Sequence, residues 1–118
     1  GKTTGFIGVN GAGKTTTLKC VFDFIRPDSG QILYFGDSVF SPSTKAKIGY
    51  LPERPYYYEF LTAEEFLKFH WDLAGFKAGF EEACDEVLDK VNLSHAKKQR
   101  LRSFSKGMLQ RAGLAQAI

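Results

Sequence analysis

Hydrophobic residues follow different spacings in the first and second parts of the chain. A short run of β-branched and apolar residues over 3–9 is typical of a buried parallel strand. Residues 14–24 then repeat apolar side chains at helical spacing, and short strands are predicted over 31–35 and 47–51. The first part of the chain therefore alternates strand and helix, which predicts an α/β arrangement.

The second part is predicted to be mainly helical. Thr62, with Glu65 three residues later, has the capping-box pattern that starts a helix. The face of this helix predicted to be buried carries Phe66, Phe69, His70 and Leu73. A second amphipathic helix is predicted from the helical spacing of Phe80, Ala83, Cys84, Val87, Leu88 and Val91. Ser105 opens a third helix that continues to the end of the chain.

The composition is that of a folded protein rather than a disordered one, since 43% of the 118 residues are hydrophobic. No apolar run has the length of a membrane-spanning helix, because charged or strongly polar residues interrupt each candidate. Two cysteines, Cys20 and Cys84, are too few for a disulfide framework. They favour reduced thiols and a cytosolic setting.

The charge gives no reason to expect a nucleic-acid partner, because the net charge is only +3. One stretch without acidic residues does contain six basic ones, namely Lys97, Lys98, Arg100, Arg102, Lys106 and Arg111. Phe104 is the only aromatic residue among them, whereas nucleic-acid surfaces interleave basic and aromatic side chains. A solvated, mostly exposed loop is therefore the favoured interpretation of this stretch.

The run from Gly8 to Thr15 satisfies the pattern G-x-x-x-x-G-K-[ST], between a predicted strand and a predicted helix. Residues without a Cβ let the backbone N–H groups converge on phosphate oxygens, and the helix adds its N-terminal partial positive charge. A dinucleotide-binding loop is excluded, because it would need glycine where Thr16 stands. The predicted nucleoside triphosphate site comprises Asn10, Gly11, Ala12, Gly13, Lys14, Thr15 and Thr16.

Three side chains of this loop have distinct predicted roles. Lys14 is expected to reach the β- and γ-phosphates and is a candidate catalytic residue. The Thr15 hydroxyl is predicted to ligate Mg²⁺, and Thr16 is placed to donate to the α-phosphate. The loop therefore predicts a nucleoside triphosphate and Mg²⁺ as cofactors.

A second motif indicates which kind of phosphate-loop protein this is. The run from Ser103 to Arg111 resembles the signature motif of ATP-binding cassette (ABC) proteins, usually L-S-G-G-Q followed by Q-x-R. The positions that match are Ser105, Gly107, Gln110 and Arg111, and those that depart are Phe104, Lys106 and Met108. A helical insert separates this motif from the phosphate loop, as in the family. The resemblance implies that Ser105 and Gly107 hold the γ-phosphate of a nucleotide bound to the opposite subunit.

Two shorter runs extend the resemblance over essentially the whole chain. Residues 27–32 resemble the family's P-x-S-G-x-I run, and residues 48–53 resemble its Q-loop, in which a strand ends in glutamine. Here Glu53 replaces that glutamine, so an oxygen able to face Mg²⁺ is kept and the amide donor is lost. Glu53 is thus a candidate catalytic and metal-binding residue, with a solvated loop glutamate as the alternative. Together with Ser-Lys-Gly-Met, it makes the chain most similar to ATPase subunits of ABC-2-type exporters.

The resemblance implies an α/β fold, the partial core of a P-loop NTPase of the ABC type with an α-helical subdomain. The predicted division is 1–55 for the partial core, 56–104 for the helical subdomain and 105–118 for the signature helix. In the family, a Walker B strand ending in Asp and Glu follows that helix, and the chain ends before such a strand. The sequence is interpreted as a fragment without the catalytic base, so the isolated chain is expected to be inactive.

For the complete domain, the resemblance implies an ATPase that powers a transporter, with export as the favoured direction. Such domains form head-to-tail dimers and bind a transmembrane permease subunit, which places them on the cytoplasmic face of the membrane. Two alternatives remain open at this point. One is a soluble ABC ATPase acting in translation or DNA maintenance, and the other is a nucleotide-binding regulator that does not hydrolyse ATP.

Overall fold

A computed structural model describes residues 2–36, 40–53 and 55–118. The chain forms two compact units, Gly1–Lys45 and Ala46–Ile118. The helices are α1 (Lys14–Val21), α2 (Pro42–Lys45), α3 (Ala63–Leu73), α4 (Phe80–Lys90) and α5 (Lys106–Ala117). Two single turns of 3₁₀ helix, Ser94–Ala96 and Leu101–Ser103, lie between α4 and α5. The second unit therefore contains the three longest helices.

The first unit is organised around Tyr34. Its hydroxyl donates a hydrogen bond to the carbonyl oxygen of Val21 at the end of α1 (2.7 Å), and its ring lies 4.7 Å from that of Phe40. The ammonium group of Lys45 lies 5.0 Å from the centre of the Phe40 ring, at cation–π distance. Tyr34 and these neighbours connect the end of α1 with the short helix α2.

The strands predicted over 3–9, 31–35 and 47–51 do not form in the described part of the chain. Residues 2–9 are all exposed, and the side chain of Ile7 is 94% accessible to solvent. A strand is stable only when a neighbouring strand accepts and donates its backbone hydrogen bonds. None of the described residues provides a ladder for these three runs, so their β-forming sequence is not sufficient.

The core of the second unit lies where α3, α4 and α5 pack against one another and against the two 3₁₀ turns. Leu88, Leu93 and Leu101 are at most 1% exposed and are its largest fully buried side chains. Burial of a leucine side chain contributes about 1.5–3 kcal/mol. This cluster therefore supplies most of the hydrophobic stabilisation visible in the described residues.

Helix α3 confirms the predicted capping box and corrects its predicted buried face. Glu65 donates its backbone N–H to the Thr62 hydroxyl (3.2 Å), and the Glu65 carboxylate accepts the Thr62 N–H (2.7 Å). Phe66 is buried as predicted, but Phe69 is partly exposed and Leu73 is 69% exposed. Leu67, which was not predicted, is buried instead. The helix carries two apolar stripes, and packing against α4 and α5 selects the one that contains Phe66 and Leu67.

Helix α4 confirms the predicted amphipathic pattern. It begins at Phe80 and ends at Lys90, and Cys84, Leu88 and Val91 lie in the core. Burial raises the pKa of the Cys84 thiol to about 11, so the group stays protonated and unreactive near neutral pH.

The start of α3 is joined to residues 97–101 by backbone hydrogen bonds. The Leu101 N–H donates to the Leu61 carbonyl (2.8 Å), and the Ala63 N–H donates to the Gln99 carbonyl (3.2 Å). Thr62 and Arg100 form an isolated antiparallel bridge between these two bonds. Two segments far apart in sequence therefore define where α3 begins.

The basic stretch is mostly exposed, as predicted, with Lys97 and Arg111 as the exceptions. The side chain of Lys97 is only 19% exposed and pairs with Asp85 (2.6 Å), Glu64 (3.4 Å) and Glu81 (3.5 Å). Lys98 also pairs with Glu64. The prediction of an exposed loop is wrong for Lys97, because the acidic residues of α3 and α4 surround its ammonium group. This cation belongs to the packing of the second unit.

The ion pairs of Glu64 predict a specific pH dependence of stability. The hydrogen bond from Lys98 holds the pKa of the Glu64 carboxyl below its ordinary value of 4.5. Because the pKa is lower in the folded state, the stabilisation is complete above about pH 4.5 and is lost as the pH falls through the folded value. In the full-length protein, we expect Glu64→Gln to lower the thermal unfolding midpoint at pH 7 by roughly 2–4 °C.

The midpoints of the native protein and Glu64→Gln should begin to converge below pH 4.5 and should meet once the pH has fallen below the lowered folded pKa, where the native carboxyl is neutral as well. Glu82→Gln is the matched control, since Glu82 is exposed and also lies in the first turn of a helix. Its midpoint should differ little from that of the native protein at any pH. A Glu64→Gln difference that stays constant down to pH 3 would contradict the assignment.

Candidate functional site

The phosphate-loop motif forms a tight turn that leads into α1. Gly11 and Gly13 have φ angles of 86° and 87°, which lie in the left-handed region that side chains with a Cβ rarely adopt. The Ala12 N–H donates to the Val9 carbonyl (3.2 Å) and closes the turn. The two glycines therefore occupy the positions at which the backbone reverses direction.

Lys14, the first residue of α1, folds back over this turn. Its ammonium group donates hydrogen bonds to the carbonyl oxygens of Gly8 (2.7 Å) and Val9 (2.9 Å). These two carbonyls hold the positive charge directly above the loop. The side chain of Lys14 is thus held against the backbone of the loop.

The first turn of α1 presents backbone donors beside two exposed hydroxyl groups. The first N–H groups of a helix have no carbonyl partner within the helix, and Gly13, the N-cap, offers no side-chain acceptor. Thr15 and Thr16 are exposed, whereas the Thr17 hydroxyl donates to the Gly13 carbonyl (3.0 Å). Free amides donate hydrogen bonds to phosphate oxygens, and a hydroxyl oxygen beside them is the kind of ligand that Mg²⁺ takes. The residues present therefore fit both groups, and Thr15 offers an exposed hydroxyl oxygen at the start of α1.

The predicted signature residues lie at the beginning of α5. Ser105 is the N-cap, and its hydroxyl accepts the N–H of Met108 (3.2 Å). Gly107 lies in the first turn, is exposed, and a Cβ built on it would have no described atom within 4 Å. The surface around these amides is therefore open, as a phosphate approaching from outside the subunit requires.

Arg111 fixes α5 against α4. Its guanidinium donates to the carbonyl oxygens of Asn92 (2.9 Å) and Val91 (3.3 Å), just after α4 ends. These carbonyls have no partner within α4, so the guanidinium satisfies them. The matching position in the signature resemblance thus has a packing function in this chain, and the predicted solvation of Arg111 is wrong.

Glu53 lies in an exposed bend. Of the predicted site residues, those from 10 to 16 lie together in the loop and first turn of α1, in the first unit. Glu53, Ser105 and Gly107 belong to the second unit. The sequence prediction missed Tyr57, whose hydroxyl donates to the Leu109 carbonyl of α5 (2.6 Å). No short-range pattern indicates this bond, because 52 residues separate its partners.

Comparison with known proteins identifies the family. The model of the ABC transporter family matches residues 1–118, and the chain belongs to that family. The family membership predicted from the phosphate loop and the signature run is therefore confirmed.

Several curated relatives are similar over the whole length of the chain. An uncharacterized ABC transporter ATP-binding protein of Synechocystis sp. is 46% identical, over 100% of this chain and 34% of the relative. The bacitracin transport ATP-binding protein of Bacillus licheniformis is 42% identical, over 97% of this chain and 37% of the relative. The SkfA peptide export ATP-binding protein of Bacillus subtilis is 35% identical, over 100% of this chain and 50% of the relative. The chain thus spans between a third and a half of these relatives.

A solved structure confirms the fold class. The ATP-binding subunit of an ABC transporter superposes with a TM-score of 0.78 at 32% sequence identity. The match covers 94% of this chain and 48% of the solved one. The chain therefore has part of the P-loop NTPase fold of ABC ATP-binding subunits. None of the helices in the described ranges is both long and apolar enough to cross a membrane.

Proposed function

We propose that this chain forms the ATP-binding part of an ABC transporter subunit that hydrolyses ATP to power transport, with export as the direction. The observation that carries the proposal is the loop at residues 8–16, in which two left-handed glycines lead into a helix with free amides. Membership of the ABC transporter family supports the same conclusion. The name of the SkfA peptide export relative supports export.

The residues of the loop would each act on a different part of the nucleotide. The N–H groups at the start of α1 and the residues from Asn10 to Gly13 bind the phosphate oxygens. Lys14 moves from its carbonyl partners to the β- and γ-phosphates, and Thr16 donates to the α-phosphate. Thr15 holds Mg²⁺, which when bound neutralises charge on the β- and γ-phosphates.

The start of α5 would complete the site of a second subunit. Ser105 and Gly107 offer a hydroxyl and open amides to the γ-phosphate of ATP bound by the opposite phosphate loop. Two copies therefore bind two nucleotides in a head-to-tail dimer. Glu53 supplies a carboxylate that faces Mg²⁺ or its bound water. Closure around ATP and opening after hydrolysis change the conformation of a transmembrane permease subunit.

The proposal also covers the organisation and location of the complete protein. Residues 1–55 belong to the nucleotide-binding core, 56–104 to a helical subdomain and 105–118 to the signature helix. The permease holds the subunit at the cytoplasmic face of the membrane. These assignments rest on the family, whose members couple ATP-binding subunits to transport.

The role of Lys14 gives the direct test of this proposal. In the full-length protein, Lys14→Ala should weaken ATP binding by at least about tenfold and lower ATP turnover by at least about 100-fold, because a preorganised cation is removed from the phosphates. Equilibrium binding of a fluorescent ATP analogue and release of phosphate measure the two effects.

Lys19→Ala is the matched control, because Lys19 is an exposed lysine on the same helix, remote from the loop. It should change neither binding nor turnover by more than about twofold. Equal effects of the two substitutions, or turnover that survives Lys14→Ala, would contradict the proposal.

The chain of 118 residues is expected to show no ATP turnover by itself. Its only Asp-Glu pair, Asp85 with Glu86, is exposed on α4 and does not follow a strand. A phosphate loop without the strand-borne Asp-Glu pair that polarises the attacking water in the family positions the nucleotide but does not activate water. Phosphate release above the level of a Lys14→Ala sample of the same chain would show this expectation to be wrong.

A further inference from the structure

Gly49, Leu51 and Tyr57 contact α5 at successive points, in the opposite direction to the helix. A Cβ built on Gly49 would lie 1.7 Å from the carbonyl oxygen of Ala117, so this backbone touches the end of the helix. The Leu51 side chain contacts the middle of the helix at Gly113. The Tyr57 hydroxyl donates to the Leu109 carbonyl, one turn after Ser105. The segment that carries Glu53 is therefore held against the signature helix at three levels.

Gly113 leaves the space that this contact needs. A Cβ at this position would lie 2.6 Å from the Tyr57 hydroxyl oxygen and 2.8 Å from Leu51 Cδ1, both closer than atoms can approach. Glycine in the interior of a helix is less stable than alanine, so its presence in α5 has a packing reason. The absence of a side chain lets the tyrosine hydroxyl reach the helix backbone.

Tyr57 connects two helices as well as two segments. Its ring packs against Phe66 of α3, with ring centres 5.7 Å apart, while its hydroxyl binds the backbone of α5. Tyr57 also lies four residues after Glu53 in the chain. The Tyr57 side chain thus links the segment that follows Glu53 to both α3 and α5.

We propose that Tyr57, seated on Gly113, is a positioning residue that sets the orientation of the signature helix relative to the Glu53 segment. It touches no nucleotide and acts through α5, whose first turn presents Ser105 and Gly107 to the ATP of the second subunit. This inference rests on the proposed function. The contact between Tyr57 and Gly113 thereby determines how accurately Ser105 and Gly107 are placed to bind the γ-phosphate.

The test uses Tyr57→Phe in the full-length protein, which keeps the ring on Phe66 and removes only the hydroxyl. We expect kcat for ATP hydrolysis to fall about fivefold, because the hydrogen bond to the Leu109 carbonyl that holds α5 in position is lost. The affinity of the monomer for a fluorescent ATP analogue should stay unchanged, because the phosphate loop binds it. Tyr58→Phe removes the neighbouring hydroxyl from a half-exposed ring and should leave both values unchanged.

A double substitution tests the fit between the two residues. Gly113→Ala should lower kcat further than Tyr57→Phe does, because its methyl group displaces the hydroxyl. Combined with Tyr57→Phe, the same methyl loses its nearest obstacle, so the double variant should retain more activity than the product of the two single effects. Multiplicative effects would show that the two residues act independently and would overturn the proposed fit.

The outcomes separate this inference from the function on which it rests. Lys14-dependent hydrolysis with an unchanged kcat in Tyr57→Phe would overturn the positioning role and leave the proposed function intact. Equal losses of kcat, nucleotide affinity and thermal stability would show that Tyr57 only supports the fold. Absence of Lys14-dependent hydrolysis in the native protein would reject both.

Discussion

Replacing Gly49 by alanine should destabilise the full-length protein by at least about 3 kcal/mol. The new Cβ would lie 1.7 Å from the Ala117 carbonyl oxygen and 2.7 Å from its carbonyl carbon. Both obstacles are backbone atoms of α5, so no side-chain rotation relieves the overlap, and either the segment or the end of the helix must move. Urea unfolding followed by circular dichroism measures the change in the free energy of unfolding.

Gly107→Ala is the control for this stability measurement. A Cβ at Gly107 meets no described atom within 4 Å, and the residue is in the first turn of a helix. There, alanine should leave the free energy of unfolding unchanged or raise it by up to about 1 kcal/mol. Equal stability of Gly49→Ala and the native protein would show that residues 49–51 do not pack on α5 as described.

A mixture of two inactive variants should regain ATP turnover if the signature helix acts across a dimer. Lys14→Ala disables the phosphate loop, and Gly107→Asp places a carboxylate where the γ-phosphate would approach α5. Each variant alone should lose at least about 100-fold in turnover. Random pairing makes half of the dimers mixed, each with one complete site, so turnover should return to about a quarter of the native value at most.

The folding of Gly107→Asp is not expected to limit this experiment. The position is open, and an acidic residue in the first turn of a helix is favourable. The control mixes Lys14→Ala with a chain carrying both substitutions, which contains no intact phosphate loop and should stay inactive. If the first mixture also stays inactive while its dimers form, the signature helix acts within its own subunit and the head-to-tail arrangement is wrong.

The helices of the second unit could be predicted from the sequence because their determinants are local. The capping box at Thr62 and Glu65 involves residues one turn apart, and the apolar spacing of α4 defines its buried face by itself. Ser105 likewise caps α5 through Met108, three residues away. The phosphate loop is also local, since the left-handed conformation at Gly11 and Gly13 follows from their residue type.

The features that could not be predicted depend on residues far apart in the chain. The runs at 3–9, 31–35 and 47–51 have strand-forming composition but lack a neighbouring strand among the described residues. The choice between two apolar stripes on α3 depends on where α4 and α5 pack. The charge partners of Lys97 and the hydroxyl contact of Tyr57 likewise join separate elements, so no local pattern reveals them.

The pairing of the start of α3 with residues 97–101 has a consequence for how the second unit opens. A helix end fastened only by its own cap can fray alone, and its amide protons then exchange with solvent independently of the rest. Here the Ala63 amide is bound to Gln99 and the Leu101 amide to Leu61. Neither amide becomes accessible until both segments separate, so the two should exchange together, in one cooperative opening that joins both sides of the helical unit.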